Sequence, residues 1–432
     1  MRQCLVLVAI CAALSVSVAP QSTPKRATEP SGSLTLVAAH ISGSKRFSES
    51  DVIAEAGLKI GAAVTAEDLK TAAERLNETG AFKTVEYKYS FSTRGMIAEF
   101  TTEDADQFVP ARFDNFVWLP PKALTEKIHD DVPLFNGEVP VRGGLPDEVA
   151  ASLRTLLTKA GSQGTVNYQL TEAQNAIAAV TYTVEDVRID VHSIHFPGAP
   201  PDVAPLLETA AKPLVGTYYS ASRIGTVAGL DLLPIFLQRG WLRASFAAPV
   251  PHVTQTSPEV AQVDVELPAQ PGLQYRLKDF NFSGFKVLAA AQARKLIHAA
   301  PGQVANEIQI SKDLRAMKDF YESRGYIKSK ISTTPEYDDS SATVAFAVQA
   351  SEGNQYRMGT FEVEGLDKTS TARLTEAWKL RAGEPYDKTY LRRYLASLGT
   401  VFPRMDQMKV ETDESADETT QTMDVLLRFK PK

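Results

Sequence analysis

Two segments carry the spacing of an acyl-transfer nucleophile. Ser42-Gly43-Ser44-Lys45 and Ser283-Gly284-Phe285-Lys286 both read S-x-x-K, a pattern that needs the serine at a helix N-terminus and the lysine one turn on. Each instead closes an alternating apolar run at a glycine, so both read as one strand-ending turn, and their spacing as architectural. His192 and His195 are a second candidate, as a metal pair. Residues three apart on a strand point to opposite faces, and no third ligand accompanies them in the sequence. The run Asp413-Glu414-Ser415-Ala416-Asp417-Glu418 has carboxylates for calcium but lacks the periodicity of an EF-hand loop. It reads as the solvated tip of a hairpin. No P-loop, GxGxxG or HExxH is present. The expectation is a chain with no catalytic, cofactor-binding or metal site, and so not an enzyme.

The composition is that of a globular protein of several domains, with 432 residues, 44% hydrophobic and 23% charged. A formal net charge of −6 and the lack of a Lys/Arg cluster argue against a nucleic-acid partner. Arg2 followed by the apolar stretch Leu5 to Val18 reads as a signal peptide, 1–19, with small residues Ser17 and Ala19 near its end. The stretch is short for a membrane span; an uncleaved anchor is the alternative. Residues 20–33, rich in Pro, Ser and Thr, read as a flexible leader. Cys4 and Cys11 both lie in the targeting segment, so the mature chain is expected to hold no disulfide and no thiol chemistry.

The elements around these motifs repeat. Gln274-Tyr275-Arg276 leads to Phe282-Ser283-Gly284, and Gln355-Tyr356-Arg357 leads to Val363-Glu364-Gly365, with 81 residues between matching positions. Such a period denotes an array of small units. Each unit reads strand, two helices, two strands. In the first, Leu34 to Ile41 is a strand, Ser48 caps a helix, and Leu69, Ala72, Ala73 and Leu76 form the stripe of a second helix. Glycines between the helices, Gly61, Gly137, Gly216, Gly302 and Gly383, recur every 76 to 86 residues and count five units. Gly43, Gly198, Gly284 and Gly365 end first strands, and Gly80, Gly240 and Gly325 end second helices. The second unit is the least regular, with a first strand read at Phe113 to Trp118 and no glycine after it. Pro234 predicts a kink in the second helix of the third unit, and Gly399 a stop for the last helix.

A strand-helix-helix-strand-strand unit with a glycine-aromatic step into its second strand resembles the POTRA domain. The residues that carry the resemblance are Gly80-Ala81-Phe82, Gly240-Trp241, Gly325-Tyr326 and the two QYR openings. It implies an α+β fold, a tandem elongated array of five domains, each a three-stranded mixed sheet with two helices on one face. The expected layout is 34–107, 108–187, 188–272, 273–354 and 355–432. Arrays of this kind form the periplasmic arms of outer-membrane assembly factors of the BamA and TamA type and of two-partner secretion transporters. There a membrane β-barrel follows; this sequence stops at Lys432, so an arm without the pore is expected.

The resemblance also implies that the second strand of each unit is a free edge, able to accept an extended polypeptide by β-augmentation. The candidate edges are Lys83 to Phe91, Trp241 to Ala248, Ile327 to Thr333 and Met405 to Thr412. The site residues on them are Lys83, Val85, Tyr87, Trp241, Ala244, Ile327, Ser329, Ile331, Met408 and Val410. Their charges, such as Lys88, Lys328, Lys330 and Lys409, serve equally well against self-aggregation. Expected partners are other proteins, either unfolded outer-membrane or exported polypeptides or an outer-membrane barrel. No nucleic acid or small-molecule substrate is expected, the location is periplasmic, and membrane contact comes only through a partner. The alternative is a structural adaptor that docks on a barrel or envelope complex without handling unfolded chains.

Overall fold

The computed structural model describes residues 33–401 and 407–432. The segment read as a signal peptide, residues 20–32 of the leader, and Met405 at the head of the last candidate edge lie outside the described residues. The chain divides into two compact bodies. Of the described residues, one holds those up to Phe108 with Val132–Asn136 and Pro140–Leu145; the other holds Val109–Asp131, Gly137–Val139 and those from Pro146 onward.

The fold is mixed α+β, and one sheet pattern recurs. In the fourth repeat, Arg276–Ser283 runs parallel to Thr343–Ser351, while Lys330–Asp338 pairs antiparallel with the far side of that central strand. The third repeat sets Arg188–His195, Val260–Glu266 and Val250–Thr256 in the same order. The fifth does so with Arg357–Glu364, Thr422–Pro431 and Met408–Asp417. In the first and second repeats, the short strands Ala63–Val64 and Glu138–Pro140 extend the sheet beyond the first strand. A parallel pair needs a long crossover, which the two helices supply. They cover one face, so the central strand alternates, burying Val344, Phe346 and Val348 in the fourth repeat and Met423, Val425, Leu427 and Phe429 in the fifth. The second helices return the matching stripe, Ile310, Met317 and Tyr321 or Leu391, Tyr394 and Leu398. Each such side chain contributes about 2 kcal/mol on burial.

The inter-helix glycines join the sheet. Gly61, Gly216, Gly302 and Gly383 donate their N–H to Leu36, Val191, Leu277 and Met358 at 2.7–2.8 Å, and the next residue accepts from the same first-strand position. Directly after that position each of these four first strands has a bulge, between Leu36 and Ala38 in the first repeat and Leu277 and Asp279 in the fourth. The extra residue realigns the strand for its parallel partner.

Three readings need correction, and two irregularities acquire a physical cause. The first strand of the second repeat is Phe108–Phe113, not Phe113 to Trp118; Pro110 hides it from a strand pattern. Its missing glycine is replaced by buried Asn115, whose side chain accepts from Val184 N at 2.7 Å and donates to Val184 O at 2.8 Å. The irregularity expected at Pro234 is a π-helical turn, Ala228–Leu232, between Ala221–Val227 and Leu233–Leu237, since Pro234 donates no N–H to the turn before it. Gly399 does not stop the last helix, which runs Lys388–Val401; a glycine inside a helix is a cost of about 1 kcal/mol rather than a terminator. The acidic run is not a hairpin tip: Asp413 to Asp417 lie on the edge strand, where Lys388 approaches Glu414 to 3.4 Å and Tyr386 donates to it at 2.9 Å.

The S-x-x-K segments are strand ends. Ser42 Oγ is bonded to strand atoms of Phe100 and Thr101. The backbone N–H of Lys45 donates to Asp104 at 2.9 Å, and that of Lys286 to Glu352 at 2.7 Å. Glu352 also accepts from Val287 N at 2.8 Å and Tyr321 Oη at 2.7 Å, tying the loop after the first strand to the second helix. Burial raises its pKa, but these hydrogen bonds outweigh burial and hold the carboxyl below the ordinary glutamate value. A lowered folded-state pKa contributes stability above the unfolded value of about 4.3, which is lost as pH falls through the folded value. Glu352→Gln should therefore lose about 2 kcal/mol at pH 7 and show a shallower loss below pH about 4, as read by urea unfolding across pH. Gly284 sits at φ +77°, and a Cβ there would lie 2.1 Å from Ala350 O. Gly284→Ala should cost about 3 kcal/mol in the same assay.

Candidate functional site

The first strand of each hairpin, Phe82–Ser92, Thr165–Ala173, Val250–Thr256, Lys330–Asp338 and Met408–Asp417, is the outermost strand of its sheet. Lys83, Val85 and Tyr87 stand on the first of these, Ile331 on the fourth, and Met408 and Val410 on the fifth. In the first repeat the edge cations are engaged: Lys83 meets Glu103 at 3.1 Å and Asp106 at 2.6 Å, and Lys88 meets Glu99 at 2.8 Å.

Four candidate residues are elsewhere. Trp241 and Ala244 lie in a turn that leads to the two-residue strand Ser245–Phe246, paired with Ala269–Gln270, and the edge of the third sheet is Val250–Thr256. Ile327 and Ser329 precede the edge strand, which starts at Lys330. Ser329 N donates to Tyr326 O at 3.1 Å, closing a turn, and Ile327 packs against the core of the fifth repeat. The glycine-aromatic step therefore opens a turn, because the residues after it serve a joint to the next repeat.

That joint has the same parts twice. Tyr275 N donates to Gly240 O and Tyr356 N to Gly325 O, each at 2.8 Å. Gln274 Nε2 reaches Arg239 O at 2.8 Å, and Gln355 Nε2 reaches Arg324 O at 2.9 Å. Arg276 and Arg357 turn into their own repeats and donate to the inter-helix carbonyls of Gly302 and Gly383 at 2.9 and 2.8 Å. Two residues past each joint glycine, Leu242 and Ile327 enter the following core. The next residue is a cation: Arg243 meets Asp339 at 3.1 Å and lies 4.0 Å from the Tyr337 ring centre, while Lys328 pairs with Glu418. The hydrogen bond from Tyr275, with the Arg243 guanidinium beside it, holds Asp339 below the usual aspartate value. The recurring string Gly240-Trp241-Leu242-Arg243 and Gly325-Tyr326-Ile327-Lys328 was the sequence signal for this joint.

The histidine pair does share a surface. The bulge at His192 breaks the two-residue alternation: His192 Nδ1 lies 2.8 Å from Asp264, and Ser193 Oγ bridges Asp264 and His195. Among the described residues no group of three His, Cys, Asp or Glu is placed to hold a metal ion, and no helix is long and apolar enough to cross a membrane.

Mixed sheets with two helices on one face define the class of the repeats as α+β. Residues 275–353 match the POTRA family, described as a surface antigen variable number repeat, so the fourth repeat is similar to a POTRA domain. It is similar to the outer membrane protein assembly factor BamA of Neisseria meningitidis serogroup B, with 23% identity over 223 residues. That match covers 48% of this chain and 26% of the relative, so the chain spans about a quarter of its length. Among solved structures, POTRA3-5 of Haemophilus influenzae BamA aligns at 16% identity and a TM-score of 0.45, covering 56% of this chain and 96% of that one. The N-terminal domain of Omp85 from Thermosynechococcus elongatus aligns at 13% identity and a TM-score of 0.26, covering 57% and 99%.

A Cβ on Gly325 would lie 2.2 Å from Tyr356 O. Gly325→Ala should therefore open the joint between the fourth and fifth repeats. Hydrogen exchange should speed up about tenfold at the Tyr356 and Tyr386 amides, equivalent to about 1.4 kcal/mol. The amides of Thr343–Ser351 should keep their protection.

Proposed function

We propose that this protein is a non-enzymatic, exported scaffold that holds extended outer-membrane or exported polypeptides by strand addition, in five POTRA-like domains facing the periplasm. The observation that carries the reading is the sheet order: in every repeat the hairpin's first strand is left at an open edge. The resemblance to an outer-membrane assembly factor over about half of the chain supports the setting. An edge offers unpaired N–H and C=O groups at fixed spacing, which recognise backbone rather than side chains. With about 1 kcal/mol net per hydrogen bond, five bonds give about 5 kcal/mol, a dissociation constant of about 0.1–1 mM. One edge alone binds weakly and lets go readily, and several in one chain hold a client through their combined effective concentration.

Photocrosslinking in cells from Tyr87, Thr333 and Val410, with Ala244 as a turn-located control, tests this reading. Strand addition predicts adducts with many different outer-membrane polypeptides from the three edge positions and few from Ala244. One dominant folded partner from all positions would replace it with the adaptor reading.

A further inference from the structure

The edges differ in charge, and the fourth repeat has a basic groove beside its edge strand. Its second helix (Glu307–Glu322) and the start of its edge strand wall a groove of about 880 Å³. Leu314, Ile327 and Ile331 give it an apolar floor, and Arg315, Lys318, Lys328 and Lys330 stand around it. A smaller hollow lined by Ile308, Ser311, Lys312 and Arg315 continues it along the helix. Lys318 is held by Glu322 at 3.4 Å and by the Ser329 carbonyl, and Lys328 by Glu418. Lys312, Arg315 and Lys330 have no acidic or hydrogen-bonding partner among the described residues. The fifth edge carries the opposite sign, with Glu411, Asp413, Glu414 and Asp417 on one strand.

The backbone limits where an incoming chain can pair. Pro335 sits within the edge strand, and a proline tolerated there directs its missing N–H away from the sheet. An added strand therefore loses its donor at that point, and the usable edge is Lys330–Thr334, the half beside the basic groove. Alternation sends Ile331 toward the core and Lys330 to the opposite face, so cations flank an added strand on both of its faces.

We propose that this groove selects an extended acidic polypeptide segment, paired to Lys330–Thr334 with carboxylates set against Lys312, Arg315 and Lys330. The proposal rests on the strand-addition reading and adds a substrate class to it. Three exposed ion pairs together make an acidic segment bind about tenfold tighter than a neutral one.

The test uses the full chain and three labelled ten-residue peptides with one alternating apolar scaffold and Glu, Gln or Lys at the polar positions. Fluorescence anisotropy should rank them Glu, Gln, Lys, with about tenfold between the first two. The triple variant Lys312→Gln, Arg315→Gln, Lys330→Gln should reduce that gap to about twofold or less. Salt of about 0.5 M should shrink it as well. Thr333 shares the parity of Pro335, so Thr333→Pro removes an outward N–H without breaking the ladder to the central strand, and should weaken all three peptides. Circular dichroism checks that both variants are folded. Equal binding of the Glu and Gln peptides, with both weakened by Thr333→Pro, overturns the charge selection and leaves strand addition standing. Binding indifferent to Thr333→Pro, or absent for all peptides, overturns strand addition and this proposal with it. Saturable self-association that the acidic peptide competes away would make a second copy the occupant, and would also overturn it.

Discussion

A strand cannot reach a parallel neighbour through a tight turn, and in each repeat the first strand pairs in parallel with the last strand of the hairpin. The remaining architecture follows from that pairing. The crossover must be long, so two helices fill it and cover one face of the sheet. The central place is taken, so the other hairpin strand is pushed to the rim. The edge on which the functional reading depends is thus a consequence of topology, and it recurs wherever the pairing recurs.

The same economy appears where repeats meet. Gly240 and Gly325 lie two residues past the helix caps Gln238 and Ser323 and offer their carbonyls to the tyrosine amide of the next repeat. A backbone hydrogen bond therefore ties the turn after one helix to the strand that follows. Absence of a side chain is what permits the approach, since a Cβ on Gly325 would meet the Tyr356 carbonyl. Arg243 and Lys328 then close over the joint against acids from the following hairpin. These exposed pairs add little energy, so the joint depends mainly on backbone bonds and on the inserted Leu242 and Ile327.

Residues near a joint are consumed by it, and this explains where edge prediction failed. Trp241 and Ile327 have strand-like side chains, and only the recurring glycine-aromatic-aliphatic-cation string marks them as joint residues, whereas Lys83, Val85 and Tyr87 are on a strand. The difference is the neighbour: Ile327 faces another repeat's core, and a chain that must dip toward it cannot yet run along its own sheet. The acidic run was misplaced for a related reason. Charges read as a solvated tip from sequence, but an edge strand with cations from adjacent elements accommodates Asp413 to Asp417.

The local layer is legible in the order of residues alone: the period, the order of elements, the helix stripes from Leu69 to Leu76 and their counterparts, and the turns marked by glycine. These follow from interactions within a few residues, which spacing records. Long-range contacts settle which strand stays at the rim, where a bulge brings His192 beside Asp264, and that Asn115 can stand in for a glycine by pairing with Val184. Packing in the fourth repeat also sets Lys312 and Arg315 beside the groove at the edge strand that carries Lys330 on its other face. Each of those depends on a hydrogen-bond partner or a packing surface distant in sequence, and the local pattern carries no record of which distant group that will be.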